Sequence, residues 1–206
     1  MGVVERRARE KEELRGRILA AATELFVQEG FANVSIRKIA EKIEYSPTTI
    51  YLYFKDKAEL MGSICYQVFD ELAVSLNEIA AKGLPPVDRL RASLIRFVEF
   101  ALEHPDHYTV VFCLPEPVEL TSILRDGVHR DPGMEMFDRL RTTVAECMSR
   151  GDMMNDDVEA VSQQIFTMSH GVAAALVNMK TFPWIDKPTL IGRSVDSLLR
   201  GLGAAV

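Results

Sequence analysis

Residues 35–57 read SIRKIAEKIEYSPTTIYLYFKDK. Ile36, Ile39, Ala40 and Ile43 recur at i, i+3, i+4 and i+7, which is one face of a helix. A short helix is therefore expected over about 36–43. A second is expected from Ser46-Pro47 to about Phe54, with Ile50, Tyr53 and Phe54 turned inward. Only Glu44 and Tyr45 separate the two. Helices this short cannot bury each other as an antiparallel pair. They must cross steeply over a third helix, which is the helix-turn-helix arrangement.

The helix starts are written in the side chains. Ser35 is a good N-cap for the first helix, because its hydroxyl accepts a free backbone N–H of the opening turn. Ser46 caps the second, and Pro47 sits at the first helical position, where a missing N–H costs nothing. Asp56 to Glu59 has capping-box spacing and opens a further helix. The turn between the short helices usually holds a glycine in the left-handed region, and this chain has Glu44 there. A left-handed Glu44 carries about 1–2 kcal/mol of strain.

In such a unit the second helix lies in the DNA major groove, with its N-terminal residues at base edges. Here those are Ser46, Pro47, Thr48 and Thr49, with Tyr51, Leu52 and Lys55 further along the outer face. Hydroxyls bond either kind of base-edge group, and threonine or proline carbons pack on a thymine methyl. Ser35 and Arg37 open the preceding helix, where backbone N–H groups and a guanidinium suit a phosphate. Lys57 opens the following helix and is a phosphate candidate on the other side. The competing reading is a plain three-helix packing unit with a solvated charged face. Against it, Thr49 and Tyr51 would spend good contact surface on water, and the basic residues flank the exposed helix instead of scattering.

From Ile18 to Leu60 the chain resembles the DNA-binding head of the TetR family of bacterial transcriptional regulators. The resemblance rests on Ile18-Leu19-Ala20-Ala21-Ala22, Leu25-Phe26 and Gly30-Phe31, then on Ser35-Ile36-Arg37-Lys38-Ile39-Ala40. It continues through Ile50-Tyr51-Leu52-Tyr53-Phe54 and Lys57-Ala58-Glu59-Leu60. The resemblance implies that Ser35, Arg37, Thr48, Thr49, Tyr51, Tyr53 and Lys57 fall on positions that commonly touch DNA. Glu44 departs from the family's glycine.

Composition bounds the rest. The 206 residues carry 24 Lys+Arg against 30 Asp+Glu, a formal net charge of -6. Residues 1–60 hold 11 Lys+Arg and 10 Asp+Glu, so the acidity belongs to the rest of the chain. Phosphate attraction must then come from placed side chains rather than a broad basic field. Cys65, Cys113 and Cys147 give neither a disulfide framework nor zinc spacing, which fits a reducing cytoplasm. Each is expected as a small buried apolar residue. No apolar run is long enough to span a bilayer, and the charged N-terminus has no signal-peptide core.

Residues 1–10 have no apolar face and are expected as a mobile arm, with Arg6, Arg7 and Arg9 either solvated beside Glu5 and Glu10 or reaching DNA. A helix over about 11–29 carries Leu14, Ile18, Ala22, Leu25 and Phe26, and ends at Gly30. A long helix over about 57–82 joins the head to a helical body, with no flexible linker between them. Further helices are expected over 85–103, 106–114, 118–125, 134–150, 156–180 and 188–202; no strand pattern appears. The domains are thus 1–56, an arm and helix-turn-helix DNA-binding domain, and 57–206, an effector-binding and dimerisation domain. The fold class is all-α.

The helix over 156–180 is apolar on two sides, so it is expected to be buried on two sides. Gly171 and Ala173 to Ala175 would let a partner helix approach closely. The last two helices are therefore read as a homodimer interface, and the TetR resemblance implies the same contact. A symmetric dimer reads a palindromic double-stranded operator, with half-sites ~34–36 Å apart or more.

Phe97, Phe100, Tyr108, Phe112, Phe137, Phe166 and His170 are candidates for an effector cavity for an apolar or amphipathic small molecule, set against the reading that they only form core. His170-Gly171 resembles a His-Gly signature of one TetR subgroup, with Ser169 where tryptophan often precedes it. His104 and His107 beside Asp106 read as exposed turn histidines and not a metal site, since Pro105 prevents a regular helical pair. No metal or cofactor is implied. With no catalytic triad, phosphate loop or paired metal carboxylates, an enzyme is not expected. The expected function is a cytoplasmic homodimeric repressor released from its operator by an effector. The alternatives are a same-fold activator and a helical ligand carrier without DNA activity.

Overall fold

The computed structural model describes residues 2–114 and 131–205. The expected helix over 118–125, and the prolines before it, lie outside the described residues. Among those described, every regular element is helical. They are α1 (Val3–Glu29), α2 (Ile36–Lys42), α3 (Pro47–Tyr51), α4 (Lys57–Ala81), α5 (Pro86–Glu103), α6 (Pro105–Tyr108), α7 (Pro132–Ser149), α8 (Val158–Asn178) and α9 (Lys187–Gly201). A single 3-10 turn, Phe31–Asn33, follows α1, and α6 runs on into a π-helical turn, Thr109–Cys113. The fold is all-α.

Two compact units emerge: Met1–Val68 with Asp106–Asp131, and Phe69–Pro105 with Pro132–Val206. Their boundary at 68/69 falls inside α4, whereas the sequence reading divides the chain at 56/57, where that helix begins.

In the first unit α1 packs on α2, α2 on α3, and α1 also meets the π-helical turn. Ile18, Ala22, Phe26, Ile39, Ala40 and Ile50 have no accessible surface. The caps form as their side chains dictate: Ser35 Oγ accepts the Lys38 N–H at 3.2 Å, and Ser46 Oγ accepts the Thr49 N–H at 3.2 Å. Two expectations are corrected. The N-terminal residues are not an irregular arm, because α1 already begins at Val3. The i, i+4 pairs Arg6–Glu10 (3.5 Å) and Arg9–Glu13 (3.6 Å) support that extension, each worth about 0.3–0.5 kcal/mol. The second short helix stops at Tyr51, not near Phe54, because the Tyr53 and Phe54 N–H groups both turn back to the Ile50 carbonyl, at 2.9 and 3.0 Å. Tyr53 and Lys55 therefore lie beyond the helix.

The turn between α2 and α3 closes as a Schellman motif. The Tyr45 N–H reaches the Ala40 carbonyl at 2.9 Å, the Glu44 N–H reaches the Glu41 carbonyl at 3.2 Å, and Glu44 between them has φ 61°. Glu44 is the only described non-glycine residue with positive φ. Substituting Glu44→Gly relieves this strain, and the greater freedom of glycine in the unfolded chain offsets part of the gain. The expected net effect is stabilisation by about 1 kcal/mol, read as a higher urea midpoint at unchanged slope.

In the second unit α5, α7, α8 and α9 meet around Leu90, Leu94, Val144, Cys147, Ile165, Val195 and Leu199. Arg91 on α5 forks onto Asp196 on α9 at 2.6 and 3.3 Å. That hydrogen-bonded guanidinium holds the Asp196 carboxyl below its ordinary range. Of the cysteines, Cys65 and Cys147 are buried as expected, but Cys113 is exposed. Burial pushes the Cys147 thiol up to about 11, so it is an inert core residue. His104 and His107 are half-buried rather than exposed.

Candidate nucleic-acid interface

The surface presented by α3 is built by its cap. Ser46 turns the chain into the helix, and its Oγ lies 2.9 Å from Thr49 Oγ1, so these two hydroxyls brace each other. Ile50 anchors the opposite face with no accessible surface. That leaves Pro47 and Thr48 exposed, with Tyr51 at 56% and Leu52 at 75% of full exposure. Thr49 and Tyr53 are half-buried, and Lys55 is exposed. An exposed tyrosine and leucine beside an exposed threonine on a short, tightly capped helix are an arrangement suited to the floor of a major groove.

The flanking candidates divide. Ser35 is exposed and spends its oxygen on the α2 cap. Arg37 is exposed and pairs with Glu41 at 2.9 Å. A solvated pair of this kind is worth little, so the guanidinium readily exchanges a carboxylate for a phosphate. Lys57 is placed differently. It is half-buried, and its ammonium donates to the carbonyls of Phe31 (2.5 Å) and Val34 (2.8 Å) while lying 4.1 Å from the Phe31 ring centroid. It fastens α4 to the turn that leads into α2.

Three cations of α1 went unread in the sequence. Arg17 donates to the Ile43 carbonyl at 3.3 Å and lies 5.3 Å from the Tyr45 ring, which pins the Glu44 turn. Arg15 lies 5.3 Å from the Phe54 ring, and Lys11 lies 6.0 Å from the Tyr53 ring. For Lys11 and Arg15 the i, i+4 spacing on the side of α1 that carries Ile18 and Ala22 was the available signal; Arg17 lies off that side and had none.

Comparison with known proteins decides what this arrangement belongs to. Residues 18–64 match the model described as bacterial regulatory proteins, tetR family, and residues 90–202 match the tetracyclin repressor-like C-terminal domain. The chain belongs to the TetR family. It is a DNA-binding transcriptional regulator. Among TetR relatives, the Bacillus subtilis regulator YhgD is 23% identical over 188 residues, covering 91% of this chain and 95% of that protein. YuxN of the same organism is 33% identical over 98 residues, covering 48% of this chain; the chain spans only 33% of that protein's length. The fold is also that of FadR from B. subtilis, solved in complex with stearoyl-CoA, with TM-score 0.72, 18% identity, and coverage of 90% of this chain and 97% of that one.

In the second unit of this TetR protein, the structure brings four of the seven cavity candidates together. The Phe166 ring lies 6.5 Å from Phe97, 6.3 Å from Phe137 and 5.9 Å from His170, on which it stacks. Phe100 is buried against His104 at 4.8 Å. Tyr108 and Phe112 pair at 5.2 Å in the first unit. Beside His170 is a residue that sequence reasoning passed over as a site. The Ser169 hydroxyl, 5% exposed, has no hydrogen-bond partner among the described residues, although Ser162 one face-repeat earlier donates to the Val158 carbonyl at 2.7 Å. A separate cleft of about 340 Å³ runs between α4 and α5, with Glu78, Lys82, Arg91, Arg96 and Glu99 in its walls and none of the seven aromatic candidates.

Burial holds His170 below the ordinary imidazole range. Burial favours the neutral imidazole in the fold, while the unfolded chain takes a proton near pH 6.5. Its contribution to stability is therefore full above about pH 6.5 and is lost as the pH falls towards the depressed folded value. His170→Leu is expected to narrow the difference between urea midpoints at pH 7.5 and pH 5.5. An unchanged difference would contradict the assignment.

Proposed function

We propose that this regulator is a cytoplasmic homodimeric repressor that leaves a palindromic operator when an apolar or amphipathic small molecule enters its C-terminal body. The observation that carries the DNA half is the outward face of α3, Thr48, Tyr51 and Leu52, held out by a buried Ile50. The proposed base and phosphate contacts are Ser35, Arg37, Ser46, Pro47, Thr48, Thr49, Tyr51, Tyr53 and Lys55, with Lys57 contributing by fastening α4.

Pairing through α8 and α9 is supported by the face that α8 turns outward. Gln164, Thr167, Met168 and Gly171 are exposed at i, i+3, i+4 and i+7, with Met168 at 51%. Nothing lies within 4 Å of a Cβ placed on Gly171, so a second helix can come close there. Sedimentation at micromolar concentration is expected to give a dimer.

The effector half rests on the aromatic cluster of Phe97, Phe137, Phe166 and His170, an apolar wall, and on the Ser169 hydroxyl, next to His170 in the chain and without a hydrogen-bond partner among the described residues. An acyl chain suits such a wall, and the FadR likeness supports trying acyl thioesters first. Titrating stearoyl-CoA, stearate and coenzyme A separately into the protein–operator complex tests this. The acyl ligands are expected to weaken DNA binding about tenfold or more, the usual size of such coupling, with coenzyme A alone inactive. Unchanged DNA affinity with every acyl ligand would overturn the effector reading. A promoter–reporter assay in which the protein raises transcription would favour activation instead.

A further inference from the structure

The N-terminal extension of α1 sorts its cations by face. Arg6 and Arg9 lie on the far side of the helix from Arg7 and Lys11, each beside a carboxylate, Glu10 and Glu13. Arg7 and Lys11 have no carboxylate partner among the described residues, and both are exposed. They fall with Arg15 at i, i+4 and i+8, on the side of α1 that further along carries Ile18, Ala22 and Leu25. The face that is apolar over the core thus turns cationic where the helix overhangs it. Arg15 and Lys11 mark the direction: they lie against Phe54 and Tyr53, the residues that follow the recognition helix. Arg7 is one helical turn, about 5–6 Å, further out along the same line. Residues 5–13 carry no large apolar side chain, so this stretch gains nothing from burial. A row of unpaired cations beside the groove-reading segment has a natural partner in duplex DNA.

We propose that Arg7 and Lys11 form a second DNA-contacting strip on α1 that takes backbone phosphates flanking the major-groove site. This rests on the DNA-binding function of the head and extends its footprint outward. The strip gives affinity and not sequence preference, since phosphate contacts position and base contacts specify.

The test compares two alanine pairs, Arg7→Ala with Lys11→Ala and Arg6→Ala with Arg9→Ala. Alanine keeps helix propensity in both. Affinity for an operator selected from a random pool is measured by anisotropy between about 50 and 200 mM salt, the range over which phosphate contacts reveal themselves. Each lost phosphate contact lowers the slope of log affinity against log salt by about 0.9, so the Arg7/Lys11 pair is expected to lower it by about 2 per protomer. The Arg6/Arg9 pair is expected to leave the slope unchanged, and the order of preference among operator variants is expected to stay the same in both. An unchanged slope for Arg7/Lys11, or an equal fall for both pairs, overturns the strip. Substitution of Thr48 and Tyr51 serves as the separate check. If that too leaves binding intact, the failure belongs to the assigned DNA face and not to the strip.

Discussion

Replacing Thr48 and Tyr51 together by alanine is expected to abolish specific operator binding while leaving the fold intact. Both side chains are exposed, and neither has a hydrogen-bond partner among the described residues. Exposed substitutions of this kind change stability by less than about 0.5 kcal/mol. A good base-edge contact is worth about 1–3 kcal/mol of discrimination. Losing two costs about 2–6 kcal/mol per half-site, between about 30-fold and 20,000-fold in affinity. Thr49 is a poorer choice for this experiment, because its Oγ1 and its N–H both engage Ser46 and its removal also weakens the α3 cap. Gel shift and thermal denaturation on the same preparation separate the two effects. Retained specific binding would remove α3 from the groove.

Phe26→Ala is expected to have the largest effect on stability. The ring has no accessible surface and sits 5.3 Å from Phe31. Truncating a buried phenylalanine costs about 3–5 kcal/mol through lost transfer energy and the cavity left behind. Against a total stability of about 5–15 kcal/mol, that loss threatens the whole head. The damage also spreads along a named route. Phe31 offers both its ring and its carbonyl to Lys57, so a void beneath it loosens the fastening between α4 and the turn before Ser35. Operator affinity should therefore fall even at temperatures where the variant remains folded. A fall in urea midpoint of less than about 1 kcal/mol equivalent would contradict the packing described.

What was legible in the sequence was whatever rests on local chemistry. Ser35 and Ser46 accept the N–H groups their positions predict, and Glu44 takes the left-handed conformation its place in the turn demands. What was not legible depends on distance along the chain. The Lys57 latch joins carbonyls 26 and 23 residues away, and no local pattern announces it. The α3 boundary is not visible locally, because Ile50, Tyr53 and Phe54 keep helical spacing through a turn that their backbone bonds have already closed. The α1 extension was readable, since Arg6–Glu10 and Arg9–Glu13 are i, i+4 pairs, but the lack of an apolar face outweighed them. In the body, seven aromatic and histidine positions at helical spacing did not reveal that Phe97, Phe137, Phe166 and His170 meet while Tyr108 and Phe112 pair in the other unit. Only tertiary placement separates those groups.

Selection of duplexes from a random pool by the intact protein probes the central claim most directly, that two copies of the exposed α3 face read DNA as a symmetric pair. The expected outcome is an enriched inverted repeat whose half-site centres lie about 10 bp or more apart, bound by two protomers or a multiple of two and lost with Thr48→Ala plus Tyr51→Ala. Enrichment of no sequence, or of a single asymmetric site bound by one protomer, would contradict it.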